Sequence, residues 1–201
     1  MQKLIIATGN QNKIKEMRSL LQGLEFELIS QTDAGFTGVV EETGDSYVAN
    51  AQLKARAVHN ALGGYVLADD SGLSVDALDG YPGIYSARFG GVSTQYKDKI
   101  KMLWDLLIDV PKDKWDCAFH CAIVLIDPSG REHTFTGEWQ GKLLDHVEGE
   151  NGFGYDPVFY DLELKQTAAQ MLPAVKNERS HRGKALAKCV AYLNKIDTKT
   201  E

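Results

Sequence analysis

The first 21 residues, MQKLIIATGNQNKIKEMRSLL (Met1 to Leu21), decide the class of fold. Lys3 to Ala7 is a short apolar run with the look of a buried strand, and within Lys13 to Leu21 the residues Ile14, Met17, Leu20 and Leu21 fall at helical spacing. Between the two stands TGNQNK, Thr8, Gly9, Asn10, Gln11, Asn12 and Lys13. A strand that turns tightly into a helix presents the helix's first N–H groups and its dipole to an anion, and Thr8, Asn10 and Lys13 could add side-chain donors. Capping of the helix by Thr8 and Asn10 is the plainer account of the same letters. The motif is not a Walker loop, and the nearest approach to one, Gly137 to Lys142, has the wrong spacing and runs into Leu143.

Working outward, Ala51, Ala55, Val58 and Leu62 predict a helix over 46–62 that Gly63 and Gly64 stop, and a strand follows at Tyr65 to Ala68. Ile100, Leu103, Trp104 and Leu107 predict a helix over 94–107. Cys117 to Ile126, the turn DPSG at Asp127 to Gly130, and Arg131 to Trp139 read as a β-hairpin. The last helix, from His181, carries Leu186, Cys189, Val190, Leu193 and Ile196 at three-and-four spacing. Early alternation of strand and helix followed by a hairpin implies an α/β fold with a mixed sheet and packed helices, one domain over 1–201 with no repeat and no linker.

Composition narrows the function. With 43% hydrophobic and 25% charged residues in 201, the chain suits a globular protein with a sizeable core. No apolar run approaches the roughly 20 residues of a membrane-spanning helix, and the N-terminus reaches Gly9 and Asn10 too early for a signal peptide, so the expected location is the cytoplasm. A formal net charge of -6 argues against a basic face for long nucleic acid. Three cysteines speak against a disulfide framework. Cys117 and Cys121 share one strand face while His120 points to the other, so the three cannot close on one zinc, and both thiols read as core.

Four groups of residues could carry chemistry. Besides TGNQNK, the acids Glu41 and Glu42 precede the second helix, and Asp69 and Asp70 follow the strand YVLA, where ligands of open α/β sheets bind. Adjacent strand residues point opposite ways, so only one of Asp69 and Asp70 can face a given metal. Oxygen ligands without His or Cys suit magnesium. Asn50 and Lys54, four apart, share a helix face near these acids. Finally, Phe153, Tyr155 and Asp156 in ENGFGYDP offer a flat surface and an acceptor for a base, and Lys176, His181 and Arg182 in KNERSHRG add donors.

Taken in order, TGNQNK, EETG, NAQLKA, ADDSG, PGIYSAR, GFGYDP and SHRG resemble the inosine triphosphate pyrophosphatase family, the XTP/dITP diphosphatases, in its bacterial form, from Lys3 to about Leu193. The resemblance implies an elongated α/β fold of two lobes flanking an active cleft, a homodimer, and hydrolysis of ITP, dITP and XTP to the monophosphate and pyrophosphate. Carried over by motif, Thr8 to Lys13 would hold phosphate, Glu42 and Asp70 would hold Mg2+, and Asp70 would also be the base. Lys54, Ser71, Phe153, Gly154, Tyr155, Asp156, Lys176, His181 and Arg182 would bind substrate. Two positions depart from the family pattern. Arg179 stands where an aliphatic residue is common, and DLELKQTAAQ lacks a glycine before Lys165, which bears on loop shape near the base. Two other readings stand beside this one: a pyrophosphatase of related fold acting on pyrimidine or modified-base triphosphates, and a nucleotide sensor that binds without cutting.

Overall fold

The computed structural model describes residues 1–197. Strand β1 (Gln2–Ile6) is buried on both faces, with Leu4 and Ile6 on one side and Ile5 with the following Ala7 on the other. Such a strand belongs inside a sheet covered by helices on both faces. It does so here: seven strands run in the order β2-β1-β3-β4-β5-β6-β7. β2 (Phe26–Ser30) and β3 (Tyr65–Val75) flank β1 in parallel, with Leu4 opposite Leu28 and Tyr65, and Ile6 opposite Leu67. β4 (Asp116–Ile126) and β5 (Glu132–Leu143) come next, and the antiparallel β6 (Phe159–Asp161) and β7 (Gln166–Thr167) finish the sheet, which is therefore mixed.

The chain divides into two compact units, Met1–Asp70 with Cys121–Gly137 and the segment from Arg182 onward, and Ser71–His120 with Glu138–His181; β3, β4 and β5 contribute residues to both. In the first unit α1 (Gln11–Leu20) and α5 (His181–Asp197) lie on one sheet face, where Ile14, Met17, Leu186, Cys189 and Leu193 pack with Leu4, Ile6 and Leu67. α2 (Tyr47–Leu62) covers the other face through Ala51, Ala55 and Val58, against Ile5, Val66 and Ala68. Parallel strands need such crossovers. Because α1 leads from β1 to β2 on one face and α2 leads from β2 to β3 on the other, the connections part company at the carboxyl end of β1. That point is the topological switch at which open α/β sheets bind ligands.

In the second unit, α3 (Tyr96–Leu106) lays Ile100, Leu103 and the following Leu107 on a core that includes Leu73, Trp139, Tyr155 and Phe159. Trp104 is half-buried and its indole N–H donates to the Leu144 carbonyl at 2.7 Å. A short helix α4 (Pro173–Arg179) has proline in its first turn, where no N–H is needed.

Most expected elements form within a residue or two. Ser46 caps α2 by accepting from the Ala49 N–H at 3.2 Å, and Gly63 ends it. Leu62 departs from the expected stripe and is exposed. The strand expected at Tyr65 to Ala68 runs on to Val75, so Asp69 and Asp70 lie within it, and what ends just before them is the pairing with β1. β2, β6, β7 and α4 are additions to the sequence reading. Cys117 and Cys121 are buried in separate core clusters, with burial pushing the Cys121 thiol up to about 12, and His120 is half-buried against Ser74 Oγ at 2.8 Å. The Ile196 side chain and residues 198–201 lie outside the described residues. Among the described residues no helix is long and apolar enough to cross a membrane.

Candidate active site

The loop after β1 is built by the residues that the sequence singles out. Asn10 caps α1, its Oδ1 accepting from the N–H groups of Asn12 at 3.0 Å and Lys13 at 3.3 Å, while Thr8 Oγ1 accepts from the Asn10 N–H at 3.2 Å. Thr8 is buried; Gly9, Asn10, Gln11 and Asn12 are exposed and Lys13 is half-buried. The loop starts beside β3, the Ala7 N–H donating to the Leu67 carbonyl at 2.7 Å.

Two residues past Leu67 come the two acids, and the pleat of β3 separates them. Asp69 shares the parity of Leu67 and points to the α1 and α5 layer; Asp70 shares that of Val66 and Ala68 and points to α2. Each meets what its layer provides. Asp69 Oδ2 lies 3.0 Å from Lys13 Nζ and accepts from Arg182 Nη2 at 3.1 Å and Nε at 3.3 Å. Arg182 Nη1 also donates to Glu16 Oε2 at 2.5 Å. Asp70 Oδ2 accepts from Asn50 Nδ2 at 3.1 Å, and Oδ1 lies 3.5 Å from Lys54 Nζ. The same ammonium meets Glu42 Oε1 at 2.5 Å.

Asn50 fixes this second cluster from both ends, because its Oδ1 accepts from the Gly44 N–H at 2.8 Å and so pins the segment that carries Glu42. A Cβ on Gly44 would meet the Asn50 Oδ1 at 2.8 Å, so only glycine allows that approach. The four-residue spacing of Asn50 and Lys54 on one helix face, read in the sequence, is thus what brings both to Asp70, and Asp69 joins the cluster from the other side of the strand. Glu16 is the member that the sequence reading did not name, and a lone acid inside a helix carries no signal for it.

Burial and charge drive the two acids apart. Burial alone would raise Asp69, but Lys13, Arg182 and Lys54 outweigh it and hold that carboxyl well below the usual range. For Asp70 burial wins. Lys54 and Lys13 pull it down, Glu42 and Asp69 push it up, and the net shift is upward. Lys54 is raised, since Asp70, Asp69 and Glu42 together exceed the cost of burying its ammonium.

The second unit gathers a different set. Lys176 Nζ lies 2.5 Å from Asp156 Oδ2 and 4.9 Å above the Phe153 ring; the pair is buried and Phe153 is half-buried. Asp156 Oδ2 also accepts from the Phe153 N–H at 2.7 Å, which shapes the GFGYDP turn. Gly152 and Gly154 take left-handed φ values of 75° and 72° in that turn. Tyr155 does not present its ring there: it is core, its hydroxyl donating to the Ser86 carbonyl at 3.1 Å. His181 is buried with its ring stacked on Phe119 at 4.7 Å. Ser71, the first residue of this unit, is half-buried. The departing Arg179 pairs with Asp161 at 3.1 Å and Glu163 at 2.7 Å, inside the segment that lacks the family glycine.

A loop at the switch point, with lysines and buried acids behind it, is a setting in which an anion and a cation can both be met. The model of the Ham1 family matches residues 4–192. The dITP/XTP pyrophosphatase of Desulforamulus reducens is 45% identical over 195 residues, covering 96% of each chain, and that of Photobacterium profundum is 44% identical over 197 residues, 96% of this chain and 98% of its own. A solved HAM1 protein from Coxiella burnetii superposes with a TM-score of 0.89 at 36% identity, over 97% of this chain and all of its own. With one family model and such relatives spanning nearly its whole length, the chain belongs to the Ham1 family.

Proposed function

We propose that this chain hydrolyses the purine triphosphates ITP, dITP and XTP to the nucleoside monophosphate and pyrophosphate. The names of its curated relatives support the substrate class. The observation that carries the chemistry is Asp70, a buried carboxylate in β3, just past that strand's pairing with β1, held by Asn50 and Lys54, with Glu42 on the same ammonium. The N-terminal loop of α1 and Lys13 would take the phosphates, and Lys54 would join them. Asp70 would accept the proton of a water aimed at the α phosphorus. Its raised affinity for a proton suits that task, because a base works best with a pKa near the operating pH.

Glu42 and Asp70 would hold Mg2+. They already converge on one cation, the Lys54 ammonium, and bring only oxygen, the donor chemistry that magnesium takes beside water and substrate phosphates. When bound, the ion would supply neutralisation of the charge that develops on pyrophosphate.

Base choice is assigned to the second unit. Lys176 as donor, Asp156 as acceptor and the Phe153 face match a purine that carries a carbonyl at C6, where adenine carries an amine. A mismatched polar group leaves buried partners unsatisfied and can be worth orders of magnitude. Arg182 belongs to the reading through Asp69 and Glu16, the carboxylates it holds, and His181 through its place beside Arg182 in the chain. The family resemblance supports a cytoplasmic homodimer. A panel of triphosphates with magnesium tests the reading. ITP, dITP and XTP should release pyrophosphate well ahead of ATP, GTP and dTTP. Orthophosphate as the product, a preference for dTTP or UTP, or tight ITP binding with no cleavage would each refute it.

A further inference from the structure

The proposed reaction employs Asp70 and leaves its neighbour without a task. Asp69 is wholly buried, so it cannot meet a ligand itself. Its Oδ2 nonetheless serves two cations, Lys13 at 3.0 Å and Arg182 at 3.1 Å, and so ties the middle of β3 to the first turns of α1 and α5. A buried carboxylate is tolerated only when paired, and two cations brought to one oxygen repel each other once that charge is gone. The two partners are not equally free. Arg182 is 2% exposed on its side chain and is gripped a second time by Glu16 at 2.5 Å, whereas Lys13 is 14% exposed and sits in the first turn of α1, just past its N-cap. The partner able to move is Lys13.

Resting on the phosphate-binding part of the reading above, we propose that Asp69 is a positioning residue, fixed by Arg182, that holds the Lys13 ammonium where a polyphosphate enters. Lys13 then meets the anion without first being ordered, which is where a long flexible side chain loses affinity. This also accounts for two consecutive acids on one strand, since the pleat sends one to the reaction and the other to the loop that receives the substrate.

The test is a double-mutant cycle on affinity for inorganic pyrophosphate, measured by calorimetry for the parent, Asp69→Asn, Lys13→Met and the double variant, with thermal melts to confirm folding. If Asp69 acts through Lys13, each single variant raises Kd by about tenfold or more, the scale of one lost charge-assisted hydrogen bond, and the double variant is within about twofold of the weaker single. Additive losses would mean a merely structural acid and would overturn the proposal. So would an unchanged or tighter Kd in Asp69→Asn, which is what loss of a negative charge alone gives, or a parent that does not bind pyrophosphate. Should Asp69→Asn fail to fold, the cycle is run with Asp69→Glu in its place, which keeps a carboxylate for Arg182 but displaces the oxygen that orients Lys13, and the same non-additivity is expected. A parent that shows the coupling but releases no pyrophosphate from ITP refutes the reaction and leaves this proposal standing; hydrolysis with additive variants does the reverse.

Discussion

Replacing Asp70 with Asn separates function from stability, because the environment of this acid disfavours the form the reaction needs. Burial raises its pKa, so its contribution favours the folded state only while it is protonated, at low pH, and turns into a cost once pH rises through the folded value. A tenfold change in proton affinity on folding is worth roughly 1.4 kcal/mol. Asp70→Asn removes that cost, Lys54 keeps Glu42 at 2.5 Å, and the new amide oxygen can still accept from Asn50. The Tm should therefore hold or rise by a few degrees, at about 2–4 °C per kcal/mol for a chain of this size. Turnover of ITP should fall by about two to four orders of magnitude, the span of a lost general base. Asp69→Asn supplies the contrast, since it takes from Lys13 and Arg182 the carboxylate they share, leaving Arg182 to Glu16, and should cost about 3 kcal/mol, or roughly 6–12 °C in Tm. The assay is kcat from pyrophosphate release beside differential scanning calorimetry. Near-parent turnover in Asp70→Asn, or a Tm well below the parent's, would refute the reasoning.

Three further outcomes are expected. Glu42→Gln should raise the magnesium concentration needed for half-maximal rate by about tenfold, with most of kcat recovered at saturation, because it removes one charge among several ligands; a magnesium titration reads it. In metal-free protein, carbon NMR should find the Asp70 carboxyl releasing its proton above the usual carboxylate range, and Lys54→Met should move that titration higher still, since the ammonium at 3.5 Å favours the ionised form. Gly152→Ala should weaken discrimination of ITP over ATP in kcat/KM by about tenfold, because the added Cβ would lie 2.0 Å from Asp156 Oδ2, at a φ that side chains avoid, and so disturb the Lys176 pair.

What the sequence made legible follows from what each element buries. β1, α1 and α2 were readable because each lays a continuous apolar pattern on one core, and Asn10 and Ser46 cap the two helices with side chains the letters announce. β2 and β7 sit at the sheet edges, β2 half-exposed and β7 only two residues long, so their periodicity is weak. β3 was cut short because DDSG has the composition of a turn; its acids are stable in a strand only through partners that arrive from α1, α2 and α5. Arg182 and Tyr155 show the same gap. Their types suggested donors and a flat surface, but carboxylates 113 and 166 positions away occupy the first, and the Ser86 carbonyl 69 away occupies the second's hydroxyl. Pairings of that range leave no local trace.

The period of a strand and the sign of its neighbours together explain why two identical side chains, one residue apart, titrate in opposite directions. On the α1 and α5 side, Lys13 and Arg182 crowd Asp69, so its carboxyl is held well below the usual range and acts as a negative charge around neutral pH. On the α2 side, burial prevails over the pull of Lys54, which Asp70 shares with Glu42, and of the more distant Lys13, so its proton is held more tightly. Environments that push two acids apart assign them different work. A carboxylate that holds its charge around neutral pH is suited to orienting a cation, and one whose proton is held more tightly is suited to taking a proton. Exchanging the two would require only a shift of one residue in β3, which would turn both side chains to the wrong layer. The register of that strand, set by Ile6 opposite Leu67, is therefore as much a part of the proposed chemistry as either carboxylate.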